Sequence, residues 1–559
     1  MIKKLLCYLF NKLWILLCKK ESRDFTEAKD KIKEVQENIL DEIIKENQEA
    51  IYGKKYKFQS LINIKSYQQQ VPLSTFADYQ IYIDKIAKGE KQVLTSEPIL
   101  MLEPSSGTTA ASKYIPYTSR LKDEFQRAIK PWLYNLYTNR ASLFWGKSYW
   151  SITPMTNKQE KTVGGIPIGF EEDSEYFGKI ERWILNFIFA VPKEIAKISN
   201  MANFRYITLL FLLKERELTL ISVWNPTFLI LLLEPIKDWQ NRLLNDLLRG
   251  EINPPEQLDG TLKRLFSKKL GKNKSRSIEL KKLFKEWDSD IYQQVWPNLK
   301  LISCWTDANA NLYLAKLKSF FPKVEIQGKG LLATEGVISF PVIGEQGHLL
   351  AIRSHFFEFI EYPKADKIKF AWELEVGKIY SVVLTTGGGL YRYKLQDLVK
   401  VIGFTGQIPR IIFVGKEEKI VDYFGEKLNE YYVQEVLNKL LAKYDIKAKF
   451  YMLALENEKD NNFYTLFLEM ELVVAKQLEK LILELDNRLR NNYHYDYCRK
   501  LGQLKEIRIF IIEEHGVQTY LQLREQAGQK LGDIKPAVLD NKRNWSQRFN
   551  GYFLKRREN

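Results

Sequence analysis

From Thr95 onward, short apolar runs alternate with longer segments of helical pattern, and no other feature limits the fold as much. Ile99-Leu100-Met101-Leu102, Leu218 to Val223, Leu299 to Cys304, Ile379 to Leu384 and Ile411 to Val414 have the length and composition of strands. Between them, Glu124 to Tyr137 and Thr227 to Asn241 carry helical periodicity. Strands interleaved with helices predict an α/β body whose sheets are mixed, at least partly parallel and covered by helices. Near Gly415 the alternation stops in the charged run Phe413-Val414-Gly415-Lys416-Glu417-Glu418-Lys419. A smaller pattern follows, of helix (Asn429 to Tyr444), strands (Lys447 to Leu453 and Asn462 to Glu469), helix (Ala475 to Asn491) and strand (Glu506 to Ile512). The expectation is a large N-terminal domain over 1–415 and a small, hinged α+β domain over 416–559, which a chain of 559 residues has room for.

Upstream of this body, Glu21 to Tyr67 is charged, with Ile32, Val35, Ile39 and Ile43 at helical spacing, and reads as a helix with one wet face. Leu5 to Cys18 is apolar but interrupted by Asn11 and Lys12, and is shorter than the ~18 to 20 residues of a membrane span, so it reads as a packed or surface-lying helix. Leu218 to Leu233 is broken by Asn225-Pro226. No transmembrane segment is expected, and a cytoplasmic protein with reduced thiols is. Cys7, Cys18, Cys304 and Cys498 show no pairing or ligand spacing with one another or with His348, His355, His494 and His515.

Lys and Arg number 85 against 69 Asp and Glu, a net charge of +16 that favours anionic partners. Ten of these cations and a single acid, Glu279, fall between Lys263 and Lys285. The run suits a nucleic-acid or lipid surface, or a solvated helix-loop-helix with Leu262, Leu265, Phe266, Leu280, Leu283 and Phe284 inward. The second reading is favoured, since no base-stacking motif accompanies the charge.

Three local motifs carry chemistry. Pro104-Ser105-Ser106-Gly107-Thr108-Thr109 follows a strand and precedes Lys113; a glycine among hydroxyl residues suits a phosphate cradle, or an ordinary polar turn. It lacks Walker A spacing. Leu332-Ala333-Thr334-Glu335-Gly336 follows Gly328-Lys329-Gly330, and its carboxylate beside a hydroxyl suits a magnesium ion on a polyphosphate, or the start of a helix or turn capped by Thr334. Thr385-Thr386-Gly387-Gly388-Gly389-Leu390-Tyr391-Arg392-Tyr393 leads into Lys394-Leu395-Gln396-Asp397; Tyr391 to Tyr393 reads as a strand, and Asp397 at its far end suits the hydroxyls of a ribose, or a hairpin with a solvated salt bridge.

In this order, on an α/β body with a hinged small domain, the three motifs resemble the acyl-adenylate-forming enzymes, and among them the Gretchen Hagen family of acyl acid-amido synthetases, bacterial-type members included. Val71-Pro72-Leu73-Ser74-Thr75-Phe76-Ala77-Asp78-Tyr79, Phe356-Phe357-Glu358-Phe359-Ile360 and the hinge with Gly425-Glu426-Lys427-Leu428-Asn429-Glu430 are similar to that family as well. The likeness runs from Val71 to the C-terminus.

The resemblance implies an ATP-dependent ligase: a small carboxylic acid is adenylated with loss of pyrophosphate, and an amino acid amine, bound between the domains, then displaces AMP. It implies ATP contacts from Ser105, Ser106, Gly107, Thr108, Thr109, Ala333, Thr334, Glu335, Tyr391, Asp397, Lys416 and Lys427, with Glu335 also holding Mg. Gly532-Asp533-Ile534-Lys535-Pro536 is similar to the family's lysine loop, which makes Lys535, with Glu335, a catalytic candidate. Trp132 and Trp224 fall on elements that would border the acyl pocket, where an aromatic wall suits a flat or indolic acid; a buried tryptophan also serves as plain core. The chain departs from the family at Ala110-Ala111 and Gln396, where glycine is usual, and at Lys416, where arginine is usual. An acyl-CoA ligase shares the first half-reaction and differs in its acceptor. A non-catalytic nucleotide- or nucleic-acid-binding scaffold using Lys263 to Lys285 would bind without releasing pyrophosphate.

Overall fold

The computed structural model describes residues 2–105, 113–151, 161–169, 179–307, 310, 313–363, 367–417, 419–458, 461–471, 475–527, 529 and 534–554. The chain divides into two compact units: Met1–Thr306 with Lys316–Leu395 and Val399–Phe413, and Asp307–Ala315 with Gln396–Leu398 and Val414–Asn559.

The larger unit begins with α1 (Ile2–Glu27), whose one face buries Cys7, Asn11, Trp14, Ile15 and Cys18. Asn11 fixes this docking, its amide donating to the carbonyls of Phe144 (3.1 Å) and Gly146 (2.9 Å). The stretch expected as one helix from Glu21 to Tyr67 is several: a short 3-10 turn ends α1 before α2 (Ile32–Asn47), and shorter helices follow. An antiparallel pair, β1 (Met101–Ser105) and β2 (Lys113–Tyr117), leads to α3 (Ser119–Asn139), capped by the Thr118 hydroxyl.

Then β3 (Lys147–Trp150), α4 (Lys179–Ile188), β4 (Leu218–Ser222), β5 (Leu301–Cys304) and β6 (Glu325–Gly328) build a four-stranded sheet in the order β3-β4-β5-β6, parallel throughout. Both faces of it are covered, so β4 and β5 are buried along their length. The expected helix Thr227 to Asn241 is two, Pro226–Leu233 and Ile236–Arg249, because Pro235 lacks the N–H that continuation needs. The basic segment forms the helices Gly260–Leu270 and Lys274–Leu283, with Phe266, Leu270 and Leu280 buried. Arg276 is the exception to its solvated pattern: it is buried, and donates to the carbonyls of Leu213 and Val295.

A tight hairpin, β7 (Leu332–Ala333) and β8 (Gly336–Val337), precedes the second sheet. That sheet has seven strands: β9 (Ser339–Pro341), β10 (His348–Leu350), β11 (Phe356–Glu361), β12 (Ile368–Phe370), β13 (Ile379–Thr385), β14 (Tyr393–Thr405) and β15 (Ile408–Lys416), in the order β12-β11-β13-β14-β15-β10-β9.

The smaller unit pairs β16 (Ile420–Val421) with β17 (Leu428–Asn429), then runs α5 (Glu430–Lys443), β18 (Ala448–Glu458), β19 (Asn461–Met470), α6 (Ala475–Leu489), β20 (Lys505–Ile512), β21 (Leu539–Asp540) and β22 (Gly551–Phe553). The sheet order is β21-β18-β19-β20-β22. Leu437 and Leu440 of α5 and Leu481 and Leu485 of α6 pack on Leu453, Leu455, Leu466 and Leu468, giving this unit its own core. Glu426 closes it: the buried carboxylate accepts from the Tyr464 hydroxyl (2.6 Å) and from the N–H groups of Tyr423 and Phe424.

One buried ion pair ties the second sheet to the early chain. Arg392, with a positive φ of 46°, sends its guanidinium to both oxygens of Glu358 on β11 (2.9 and 3.0 Å) and to the carbonyls of Gln68 and Val71 (2.8 Å each). Removing one partner strands the other charge away from water. Glu358→Ala is therefore expected to lower the unfolding free energy of the larger unit by about 3–5 kcal/mol, read by urea unfolding.

Candidate active site

The Thr334-Glu335 hairpin and the glycine turn at Gly387, both in the larger unit, are fastened to one buried carboxylate. Glu124, on α3 and wholly enclosed, accepts the Gly387 N–H at 2.9 and 3.0 Å and faces His355 Nδ1 at 2.9 Å. The other imidazole nitrogen, Nε2, accepts the Val337 N–H at 3.0 Å, which leaves the ring proton on Nδ1 to be donated to Glu124. Arg120 Nε adds a charged contact to Glu124 at 3.3 Å, and its guanidinium also meets Glu42 and Glu46. The Gly387 carbonyl accepts from Thr118, the cap of α3 (3.0 Å). Glu124 and His355 were not among the expected site residues. The available signal was an acid on a helix face otherwise built from Leu121, Phe125 and Ala128.

Thr334 and Glu335 form the turn of the β7–β8 hairpin, not the start of a helix. The Thr334 carbonyl accepts the Tyr117 hydroxyl (2.6 Å), and the largely buried Glu335 carboxylate accepts from Tyr393 (3.3 Å). Gly336 has no room for a side chain: an added Cβ would lie 2.6 Å from His355 Nε2. Gly387 is equally confined, by Arg120 and Glu124. Of the first motif, Ser105 ends β1 opposite Lys113; Ser106, Gly107, Thr108, Thr109 and Ala110-Ala111 lie outside the described residues.

The expected strand Tyr391 to Tyr393 begins only at Tyr393, because Arg392 takes the left-handed conformation. Tyr391 is core. Its ring has no exposed surface and stacks on Tyr52 at 4.8 Å, its hydroxyl donates to the Leu94 carbonyl (2.7 Å), and burial raises the phenol well above its usual range.

In the smaller unit, Asp397 is buried and Lys416, half-exposed, pairs with it at 2.9 Å. Gln396, where the family is expected to carry glycine, has a φ of 63°, the conformation that glycine adopts without strain. Lys427 is exposed. Lys535 is exposed too, on a segment held by buried Ile534 and by Val538, whose N–H donates to Glu430 (2.9 Å) and whose carbonyl accepts from Leu453 (2.7 Å). Gly532 and Asp533 lie outside the described residues. Among the described residues no three His, Cys, Asp or Glu side chains converge as a metal site.

Beside the β7–β8 hairpin lies a cavity of about 580 Å³, lined by Trp132, Trp150, Trp224, Phe189 and Lys329 among others. Trp132 and Trp224 thus border one space. Trp132 is held by a bond from its indole N–H to Gln327 (3.1 Å). The Lys329 ammonium donates to Ser222 (2.8 Å) and lies over three indoles, 4.7 Å from Trp224 and 5.7 Å from each of Trp132 and Trp150. Such faces stabilise a cation in an apolar setting. Trp150 and Lys329 were missed; the hint was a lysine between two glycines at the end of a strand. Burial pushes the Cys304 thiol up to about 12, so it is no nucleophile at neutral pH.

The fit of Gly336 against His355 is testable. Gly336→Ala is expected to push the imidazole off Val337 and destabilise the larger unit by about 1–3 kcal/mol in denaturant titration. Gly260→Ala, which meets nothing within 4 Å, is expected to change stability by less than about 0.5 kcal/mol.

Known proteins resemble most of the chain. It matches the N-terminal domain of the GH3 family over residues 21–326, the GH3 central domain over 348–416 and the GH3 C-terminal domain over 431–544. It is 23% identical to the indole-3-acetic acid-amido synthetase GH3.4 of Arabidopsis thaliana, over 78% of this chain and 76% of that protein. With indole-3-acetic acid-amido synthetase GH3.2 of the same plant it shares 23% identity over 82% and 89%. The solved structure of the AtGH3.15 acyl acid amido synthetase in complex with 2,4-DB superposes with a TM-score of 0.81 at 18% identity, covering 94% of each chain. With the N-terminal domain match alone spanning more than half of its length, the chain belongs to the GH3 family.

Proposed function

We infer that the chain is an ATP-dependent acyl acid-amido synthetase acting on a flat aromatic acid. The observation that carries this reading is the anchoring of the Thr334-Glu335 and Gly387 turns to one buried Glu124–His355 pair, beside a tryptophan-lined cavity holding an ammonium group. Those turns are tied to the body of the unit by several buried hydrogen bonds, and a fixed frame is what in-line attack at phosphorus needs.

In the first half-reaction an oxygen of the acid attacks the α-phosphorus of ATP, and the bond to pyrophosphate breaks. In the second, an amino acid nitrogen attacks the acyl carbon, loses a proton, and AMP leaves with the bridging oxygen. Ser105, Ser106, Gly107, Thr108 and Thr109 hold the phosphates, with Ala333 and Thr334 beside the nucleotide. Asp397 accepts from the ribose, and Lys416 and Lys427 add positive charge. Tyr391 supports the glycine turn from the core, its ring enclosed and its backbone N–H and carbonyl bonded to Tyr79 and Ser74. Glu335 fits a magnesium ion, which when bound offsets charge on the polyphosphate. Lys535 stabilises the negative charge that builds on the α-phosphate. Lys329 draws the acid's carboxylate toward the tryptophans. The relatives are named for indole-3-acetic acid, and three indole faces suit a ring of that class.

A panel of carboxylic acids assayed for acid-dependent ATP–pyrophosphate exchange tests the reading. Aromatic acids are expected to support exchange, and Lys329→Met to raise their KM about tenfold or more with the fold intact. Exchange by no acid, or by aliphatic acids alone, would refute it. Lys535→Ala is expected to cut pyrophosphate release about a hundredfold, the size of losing one preorganised donor, while a chemically made acyl-adenylate is still converted to amide at near the parent rate. Equal loss of both half-reactions would make Lys535 structural.

A further inference from the structure

The outer face of α1 carries an apolar stripe that none of the described residues covers. Ile2, Leu5, Leu6, Leu9, Leu13, Leu16 and Leu17 are all exposed, Ile2 by 77% and Leu16 by 61%, and their spacing puts them on one side of the helix. This is not a frayed end. The opposite side is fixed by Trp14 and Cys18, which have no exposed surface, and by the Asn11 bonds to Phe144 and Gly146. Aromatic rings widen the stripe on both margins: Phe10 stacks on Phe187 at 4.6 Å and meets Trp183 at 5.5 Å, and Tyr8 lies 4.5 Å from Trp145. Trp183, Phe187 and Trp145 are about half-exposed.

Charge says what covers this face. Up to Lys20 the chain has five lysines and no acid. At about 100° per residue, Lys12 and Lys19 fall along one margin of the stripe, Lys3 along the other and Lys20 at its end, all of them exposed. Lys4 points away and pairs with Glu217 at 3.0 Å. Leucines flanked by lysines with tryptophans at the edges match the boundary of an anionic bilayer, where acyl chains meet negative headgroups. A protein partner with a matching apolar groove would not need cations on both margins. Among the described residues no helix is long and apolar enough to cross a membrane, so α1 lies on the surface.

We propose that the outer face of α1, with Trp183 and Phe187 of α4, docks the protein on anionic lipid. Nothing in this depends on the ligase reading.

Cosedimentation of the full chain with phosphatidylcholine vesicles, with and without phosphatidylserine, tests it. Binding is expected to be about tenfold or more stronger with phosphatidylserine and to weaken as salt is raised. Leu9→Glu with Leu13→Glu, both on the exposed face, is expected to abolish binding with thermal unfolding unchanged. Lys12→Glu with Lys19→Glu is expected to remove the preference for phosphatidylserine. Failure of the parent to bind either vesicle, or binding by the leucine variant at the parent's level, would overturn the proposal. So would a concentration-dependent dimer that Leu9→Glu dissociates in the absence of vesicle binding, which would give the face to a second copy.

Discussion

A carboxylate with no access to water must be surrounded by donors, and Glu124 finds them on three separate stretches of chain. Gly387 supplies a backbone N–H, His355 its Nδ1 proton and Arg120 a guanidinium edge. Each donor is a constraint on a motif. Gly387 belongs to the glycine turn, and His355 relays the constraint to Val337 at the end of the Thr334-Glu335 hairpin. The glycines at 336 and 387 follow from the same arrangement, because a Cβ at either would collide with the network itself. Sequence motifs that look like ligand contacts are here, in part, the conditions for packing a charge.

How much of this the sequence discloses depends on what kind of force decides each element. Strands and helices set by burial are legible: the runs at Leu218, Ile379 and Asn462 become strands within a residue or two of where hydrophobic pattern puts them. Pattern fails where one residue's backbone decides. Pro235 splits a helix that periodicity joins, and Arg392, in a left-handed conformation, delays a strand that the sequence pattern starts at Tyr391. Polar partners brought together from distant segments leave no local trace. His355 and Glu124 are of that kind, and so is the meeting of Lys329 with Trp132, Trp150 and Trp224. Gln396 is an intermediate case: the expected glycine flags the position, and only the backbone angle explains why glycine suits it.

The short helix α4 has two duties. Leu185 lines the tryptophan cavity, while Trp183 and Phe187 project to the exposed apolar face beside Phe10. Trp14, on the buried face of α1, sits edge-on to Trp150 of the cavity wall at 6.3 Å. Cavity and outer face therefore share supporting side chains, and a change of packing on one is felt by the other, as close-packed interiors require.

The bond between Glu124 and His355 spans 231 residues of chain, and that to Gly387 spans 263. A ribosome adding about 5–20 residues per second exposes α3 on the order of tens of seconds before the glycine turn exists. Through that interval Glu124 and Arg120 remain hydrated, and the apolar face of α3 has no β8 or β9 to lie against. The larger unit is thus a body whose early half waits for its late half. Nascent chains of this protein pass through a long window in which a chaperone, or a neighbouring nascent chain, reaches the part of α3 that β8 and β9 later cover.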